Sequence, residues 1–314
     1  VGSLNADLVL QAPRLPRLGE TLTTGDLLVL CGGKGANQAY AAAKLGGSVS
    51  MIGAVGSDAF GPMLRQNLES AGVDCSGVTT SPRATGVAAI TVMPGGENTI
   101  LVSPGANHDL PVERVTALLL ESLEAAGLLL CQLEIPMEVI VAALGVARAR
   151  GAQSMLDPAP AQALDPQVLA LIDILTPNQT EIALLLGKPE QEPASVADAI
   201  EAANQLRRLG AHTVVVKLGR LGAVWVSARE TIVAPGFAVD AVDSTAAGDT
   251  FNAALAVALA GERRGGIAEA LEFANAAAAI SVTRVGAQSS CPGHEDVAQL
   301  LSLSGRKAAD VSRS

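Results

Sequence analysis

From Pro111 onward the chain alternates between helical and apolar extended segments, and this rhythm narrows the fold more than any other feature. "VERVTALLLESLEAAG" has helical spacing behind a proline suited to a first turn, and the apolar run "LLLCQLE" follows it. "MEVIVAALGVARARG" then leads to "QSMLD", while "IDILTPN" and "TVVVKLG" are further short apolar runs that end in turn residues. Strands that are apolar on both faces and separated by helices imply an α/β fold, with a mostly parallel central sheet flanked by helices on both faces. Ligands in such sheets bind beyond the carboxyl ends of the strands. The polar residues that finish these runs, Glu134, Asp157, Asn178 and Lys217, are therefore expected along one edge.

Two segments break the rhythm. "LVLQAPRLPRLGETLTTGDLLVL" and "TGVAAITVMPGGENTILVS" read as strand-turn-strand units, the second turning at Pro94-Gly95-Gly96. With no helix between their strands they predict a small antiparallel β lid, built from about residues 7–31 and 84–104 of a single domain spanning 1–314. An edge hairpin or a dimer surface is the competing role.

The 314 residues are 49% hydrophobic and 17% charged, enough for a substantial core. A net charge of −10 argues against nonspecific binding to nucleic acid or to an anionic membrane. A polyanionic ligand would have to be held locally, by backbone N–H groups and a few cations. Cys31, Cys75, Cys131 and Cys291 form no CxxC pair and read as reduced thiols. His108, His212 and His294 lack metal-ligand spacing and read as ordinary surface or loop residues. No apolar run reaches the ~18 residues of a membrane span, and no secretory signal is read, so a cytoplasmic protein is expected.

Three stretches carry chemistry. In "CGGKGANQAYAAAKLG", Gly32, Gly33 and Gly35 allow close backbone approach ahead of an Ala-rich helix, with Lys34 and Asn37 as the polar reach. Lys34 is followed by glycine and not by Ser or Thr, so this is no Walker loop; Gln38 stands where a dinucleotide fingerprint needs glycine. A structural turn and a ligand site remain equal readings of the run alone. In "GSLNAD", read as the end of the first strand, Asn5 and Asp7 project to one side of an extended chain. An amide and a carboxylate so spaced suit vicinal hydroxyls, or simply cap a turn. In "VDSTAAGDTFNAALAVAL", small residues open an apolar helix whose first N–H groups favour an anion, yet Asp249 stands at that mouth. Asp249 is either a cap or a base placed beside an anion site.

Together these stretches resemble the ribokinase family of carbohydrate kinases. "GETLTTG", "TGVAAITV", "QLE", "DPAPA", "TPNQTE" and "FANAAAAISVTRVGAQSS" extend the likeness over nearly the whole chain, in order. The resemblance implies that Asp249 is the general base taking a proton from a sugar hydroxyl, and that the N–H groups of Ala246, Ala247 and Gly248 form an anion hole for the γ-phosphoryl group of ATP. It places Asn5, Asp7, Gly33, Lys34, Gly35, Asn37 and Glu134 against the sugar, D-ribose in the leading reading. Asn178 and Glu181 fall near Mg2+ and the phosphates, acting through water, for which a plain helix cap is the alternative. Lys217, Leu218, Gly219, Arg220, Leu221, Gly222, Gly248 and Asn275 fall near the nucleotide. Asp243, Thr245, Ser281, Arg284, Gly286 and Ser290 match a ring of mostly backbone carbonyls around K+, for which a plain Asp243–Arg284 ion pair is the alternative. A homodimer through the lid is a further expectation of the family.

Three positions depart from the pattern: Asp157 where asparagine is frequent, Lys217 where threonine is frequent, and Asn275 where some relatives carry histidine. They bear on nucleotide grip and leave the chemical step intact. Other acceptors of the family, deoxyribose, a ketose or a nucleoside, are the alternatives. One Trp, one Tyr and four Phe in the chain, none at the expected sugar contacts, disfavour a nucleoside clamped by stacking. A noncatalytic sugar- or nucleotide-binding regulator would be marked by loss of Asp249 or Gly248, and both are present.

Overall fold

The structure is a computed structural model that describes residues 1–95, 97–124, 127–260 and 266–305. Gly96 of the expected hairpin turn, residues 125–126 of the first expected helix and residues 306–314 of the expected domain lie outside the described residues. The chain begins with β1 (Asn5–Gln11), β2 (Leu28–Gly32), α1 (Lys34–Lys44), β3 (Gly53–Gly56), α2 (Phe60–Ser70), β4 (Val78–Ser81), β5 (Gly86–Val92) and β6 (Asn98–Ser103). It continues through α3 (Val112–Ser122), β7 (Leu128–Gln132), α4 (Met137–Arg150), β8 (Gln153–Asp157), α5 (Pro166–Leu169), β9 (Ile174–Leu175), α6 (Gln179–Leu185) and α7 (Val196–Arg208). Then come β10 (Thr213–Lys217), β11 (Ala223–Val226), β12 (Thr231–Ala234), α8 (Ala247–Leu259), α9 (Ile267–Ser281) and α10 (His294–Leu303).

The main sheet has six strands in the order β12-β11-β10-β9-β8-β7. β7 to β10 run parallel, and β11 and β12 are antiparallel additions. Alternate residues of one strand feed opposite cores, which is why these strands read as unbroken apolar runs. Leu129 and Cys131 of β7 face Val139, Ile140 and Leu144 of α4 and Leu206 of α7. Leu128 and Leu130 face the other way, into a core with Trp225, Phe251, Leu255, Phe273 and Leu301. Each such buried side chain contributes roughly 1.5–3 kcal/mol, so both helical layers are anchored by many of them.

The lid is a second sheet, ordered β2-β1-β5-β6. Each hairpin pairs antiparallel, and the two are joined through a parallel pairing of β1 with β5, Asn5 opposite Gly86 and Gln11 opposite Val92. β1 begins at Asn5, so "GSLNAD" lies at the start of a lid strand and not at the end of a core strand. Ahead of it, Val1 N donates to Leu130 O and Gly2 N to Ile52 O, which ties the first residues between the main sheet and the short parallel pair β3–β4.

Alanine governs the packing nearest the sheet edge. Ala41 and Ala42 of α1 meet Ala253 of α8 and Cys291. Small side chains let two helix backbones approach closely, as they do wherever bulk is absent from an interface. No helix among the described residues is long and apolar enough to cross a membrane.

Candidate active site

The carboxyl ends of β7, β8 and β10 and the first turns of α1 and α8 converge. Asp249 sits in the first turn of α8 and is 5% exposed. Its Oδ2 accepts from Asn37 Nδ2 (3.0 Å) and its Oδ1 from Gln38 Nε2 (2.9 Å), so both donors come from α1 across the alanine seam. The turn that aims α8 contains Ala246 at φ 56°, the one positive-φ residue other than glycine among the described residues. A left-handed alanine costs on the order of 1 kcal/mol or more, and such strain concentrates at functional turns. The first N–H groups of any helix lack acceptors within it. Here Ala247 N–H already donates to Ser244 O (3.2 Å), which leaves Gly248 as the better placed donor of the expected hole.

Burial raises the Asp249 carboxyl pKa, opposed by Lys34 and then reinforced by Asp157; the Asn37 and Gln38 amides oppose it too, and the net shift is upward. Burial alone would lower the Lys34 ammonium, but Asp249, Asp157, Glu134 and Glu181 together raise it above the ordinary lysine value. Lys34 is therefore a permanent cation amid carboxylates.

On the lid side, Glu134 Oε2 accepts from Lys34 N (3.0 Å) and from Ser3 Oγ (2.5 Å). Gly33 enters α1 at φ 87°. Asn107 Nδ2 donates to Asn5 Oδ1 (2.7 Å) while Asn107 Oδ1 accepts from Leu4 N (2.9 Å), pinning the start of β1. The Asp7 carboxylate lies over Gly32, where a Cβ would come within 2.1 Å of Oδ2. Burial, then Glu134, then Asp249 push the Asp7 carboxyl up to about 7.

On the far side, Lys217 Nζ donates to Asp157 Oδ1 at 2.9 Å and stands 4.0 Å from Glu181 Oε2. A Cβ on Gly248 would lie 3.5 Å from the same ammonium, so Lys217 is at the mouth of α8. Asn178 and Glu181 form a capping box on α6: Glu181 N donates to Asn178 Oδ1 (2.8 Å) and Asn178 N to Glu181 Oε2 (2.7 Å). Burial raises the Glu181 carboxyl, against Lys217 and with Asp157. The turn from Leu218 to Gly222 follows β10, closed by Leu218 N donating to Gly222 O (2.8 Å), with Arg220 and Leu221 exposed. Asn275 Nδ2 donates to Ala234 O (2.9 Å), so its amide hydrogens serve the strand beside that turn.

The expected cation loops adjoin one another. Val242 N and Asp243 N both donate to Val282 O, and Gly286 N donates to Asp243 Oδ2 (2.8 Å). Thr245 N donates to Asp243 Oδ1 (2.9 Å), and these bonds hold the Asp243 carboxyl below its usual range despite burial. Arg284 pairs with Asp296 (3.1 Å), so the Asp243–Arg284 ion pair is not formed. Ser281 and Ser290 are buried, each donating to a carbonyl three residues back. Among the described residues no group of three His, Cys, Asp or Glu could hold a metal ion. An open cavity of about 460 Å³ along α2, lined by Ser57, Arg65, Gln66 and Glu69, involves none of the residues above.

Four buried polar residues were not singled out from sequence as site residues: Gln38, Gln132, Asn107 and Gln288. Gln132 Nε2 donates to Gln38 Oε1 (2.5 Å), and Gln288 Nε2 donates to Asn37 Oδ1 (3.0 Å), so each orients an amide that serves Asp249. Glutamine inside "LLLCQ" and inside an Ala-rich helix is the signal that was available.

A buried carboxylate at a helix mouth, a lysine amid acids and a strand-edge cleft under a lid suit transfer of an anionic group to a hydroxyl. The family model for pfkB family carbohydrate kinases matches residues 1–293. A ribokinase of Haemophilus influenzae is 41% identical over 303 residues, covering 96% of this chain and 97% of that protein. A deoxyribokinase of Salmonella typhi is 37% identical over 306 residues, covering 96% and 98%. The structure of Arabidopsis thaliana ribokinase complexed with ribose and ATP superposes with a TM-score of 0.85 at 34% identity, over 96% of each chain. With the match running from the first residue through the lid, the cleft and the turn ahead of α10, this chain belongs to the pfkB family of carbohydrate kinases.

Proposed function

We propose that this chain transfers the γ-phosphoryl group of ATP to the 5-hydroxyl of D-ribose. The observation that carries the reading is the buried Asp249 carboxylate, fixed by Asn37 and Gln38 in the first turn of α8 beside Gly248. Asp249 accepts the proton of the attacking hydroxyl, and the N–H groups of Ala246 and Gly248, joined by that of Ala247 once it leaves Ser244 O, stabilise charge that spreads over the transferred phosphoryl group. Asn5, Asp7, Gly33, Lys34, Gly35, Asn37 and Glu134 hold the sugar. Lys217, the turn to Gly222 and Asn275 lie along the nucleotide. The whole chain acts as one domain with the lid inserted in it.

With Glu181 Oε2 committed to its cap, the donor set at Asn178 and Glu181 fits Mg2+ through water and not directly. A hydrated Mg2+ there supplies neutralisation of phosphate charge. At Asp243 both carboxylate oxygens accept backbone N–H groups, so a cation would rest on carbonyls, a donor set that fits K+. Held by those carbonyls, K+ would steady the turn ahead of Ala246. The lid exposes Leu28 and Leu30 on β2 and Ile100, Leu101 and Val102 on β6, 41–78% accessible, which supports a homodimer formed lid to lid. A cytoplasmic location accords with an ATP-dependent activity.

A coupled ATP-consumption assay over D-ribose, 2-deoxyribose, fructose and adenosine, in K+ or tetramethylammonium, tests this reading. Ribose is expected to give the highest kcat/KM, and K+ to raise the rate. Silence with every sugar sinks the proposal. A first rank for deoxyribose transfers the substrate to that of the Salmonella relative, and equal rates in both cations remove the K+ site.

Asp7 adds a pH dependence. An acid whose folded-state pKa is raised keeps its proton to higher pH, so the free protein loses stability as pH rises from about 4 to about 7. The charged form is the better acceptor for sugar hydroxyls, so ribose affinity runs the other way. The Kd is expected to be ~10-fold weaker at pH 6 than at pH 8, the change in the charged fraction of a group with a pKa about 7. Calorimetric titration at the two pH values checks it, and a flat profile takes Asp7 out of the sugar site.

A further inference from the structure

One amide in the centre of the site serves two carboxylates. Gln38 Nε2 donates to Asp249 Oδ1 and to Asp157 Oδ2, each at 2.9 Å, and Gln132 fixes the other end of the same side chain. Gln38 and Asp157 are 1% and 2% exposed. Asp157 is thus one of the groups, after burial, that push the Asp249 carboxyl up. Lys217 stands on the outer oxygen of Asp157, with its own side chain only 11% exposed. Asp157 and Lys217 are also two of the positions at which the sequence departs from the family it resembles, and the structure bonds them to each other.

We infer that Asp157 and Lys217 are a matched positioning pair which, through Gln38, keeps Asp249 ionised and fixed in orientation. The inference rests on the role of Asp249 proposed above. Each member alone is harmful. Asp157 without Lys217 sets an uncompensated negative charge behind Gln38. Lys217 without Asp157 keeps only Glu181, at 4.0 Å, and brings an unmatched positive charge to the mouth of α8. Among the described residues, the other titratable groups facing Asp249 are Lys34 of α1, Asp7 of β1 and Cys291 ahead of α10. None of these hydrogen bonds to Gln38, and they stay constant while the pair is varied.

The test is a cycle of four proteins: the parent, Asp157→Asn, Lys217→Met and the double variant. The readout is the acid limb of kcat for ribose phosphorylation, at saturating ribose and MgATP. Saturation removes the contribution of Asp7, which enters through sugar affinity. Lys217→Met is expected to move the limb up by about one pH unit and Asp157→Asn to move it down, the size of a unit charge shared through one amide. The double variant is expected to return within about 0.3 pH unit of the parent, and Lys217→Arg to leave the limb in place. Should Lys217→Met not fold, Lys217→Gln, which can still donate to Asp157, gives the same upward shift. Single-variant shifts of one sign, a double variant that stays as far from the parent as either single variant or an unmoved limb overturn the pair while leaving the kinase reading intact. A parent without ribose phosphorylation overturns that reading, and the pair with it.

Discussion

Asp249→Asn is expected to bind ribose and leave it unphosphorylated. The substitution keeps the volume of the side chain and removes its capacity to take a proton, a loss of roughly 10²–10⁴ in rate. It also places an NH2 where one carboxylate oxygen accepts from Asn37 or Gln38. Neither amide can turn to meet it, because Asn37 Oδ1 is held by Gln288 and Gln38 Oε1 by Gln132. One pair of donors is left facing each other, a cost of about 1–2 kcal/mol in folding stability. Single-turnover phosphorylation and calorimetric titration with ribose separate the two effects: transfer collapses, and the sugar Kd stays within a few-fold. Turnover within tenfold of the parent would move the base elsewhere.

Gly33→Ala is expected to damage both stability and sugar binding. Gly33 sits at φ 87°, where an L side chain is strained, and an added Cβ would stand 2.6 Å from Asn5 N and 3.0 Å from Leu4 backbone atoms. Backbone has no rotamer by which to yield, so either the entry to α1 or the start of β1 must move. The strain and the overlap together cost about 3 kcal/mol, which lowers Tm by roughly 5 °C. Displacing Asn5 also loosens its bond to Asn107 and shifts Asp7 two residues on. A melting curve and a ribose titration on the same sample check this. An unchanged Tm would mean that the two segments are not packed as described.

The main sheet was legible because its strands are buried on both faces, so "LLLCQ" and "TVVVK" stand out as apolar blocks between helices. Glu134, Asp157, Asn178 and Lys217 were legible for the same reason, each being the first polar residue past such a block or just beyond one. The parallel union of β1 and β5 was not, since the partners lie far apart in sequence and either edge of a hairpin offers the same unpaired groups. β3, with only "GAVG", carries no period to read. In the site, Asp249 and the glycine-rich run announce themselves by small residues at a helix start. Gln38 does not, because its significance arises only when α8 and β8 are brought to it. Arg284 reads from the sequence as a candidate partner for Asp243, yet the first turn of α10 offers it Asp296 instead. His294 read as an ordinary surface or loop residue, but its ring lies 5.7 Å from that of Phe273 at the start of α10.

The seam between α1 and α8 has a mechanical consequence. Because the two helices meet through methyl groups, the span from Asn37 to Asp249 is set by main chain and by very little that can rotate. The gap across which a phosphoryl group must travel is thus gauged largely by two helix backbones in close approach, and the acceptor and the donor are brought to that gauge from either side.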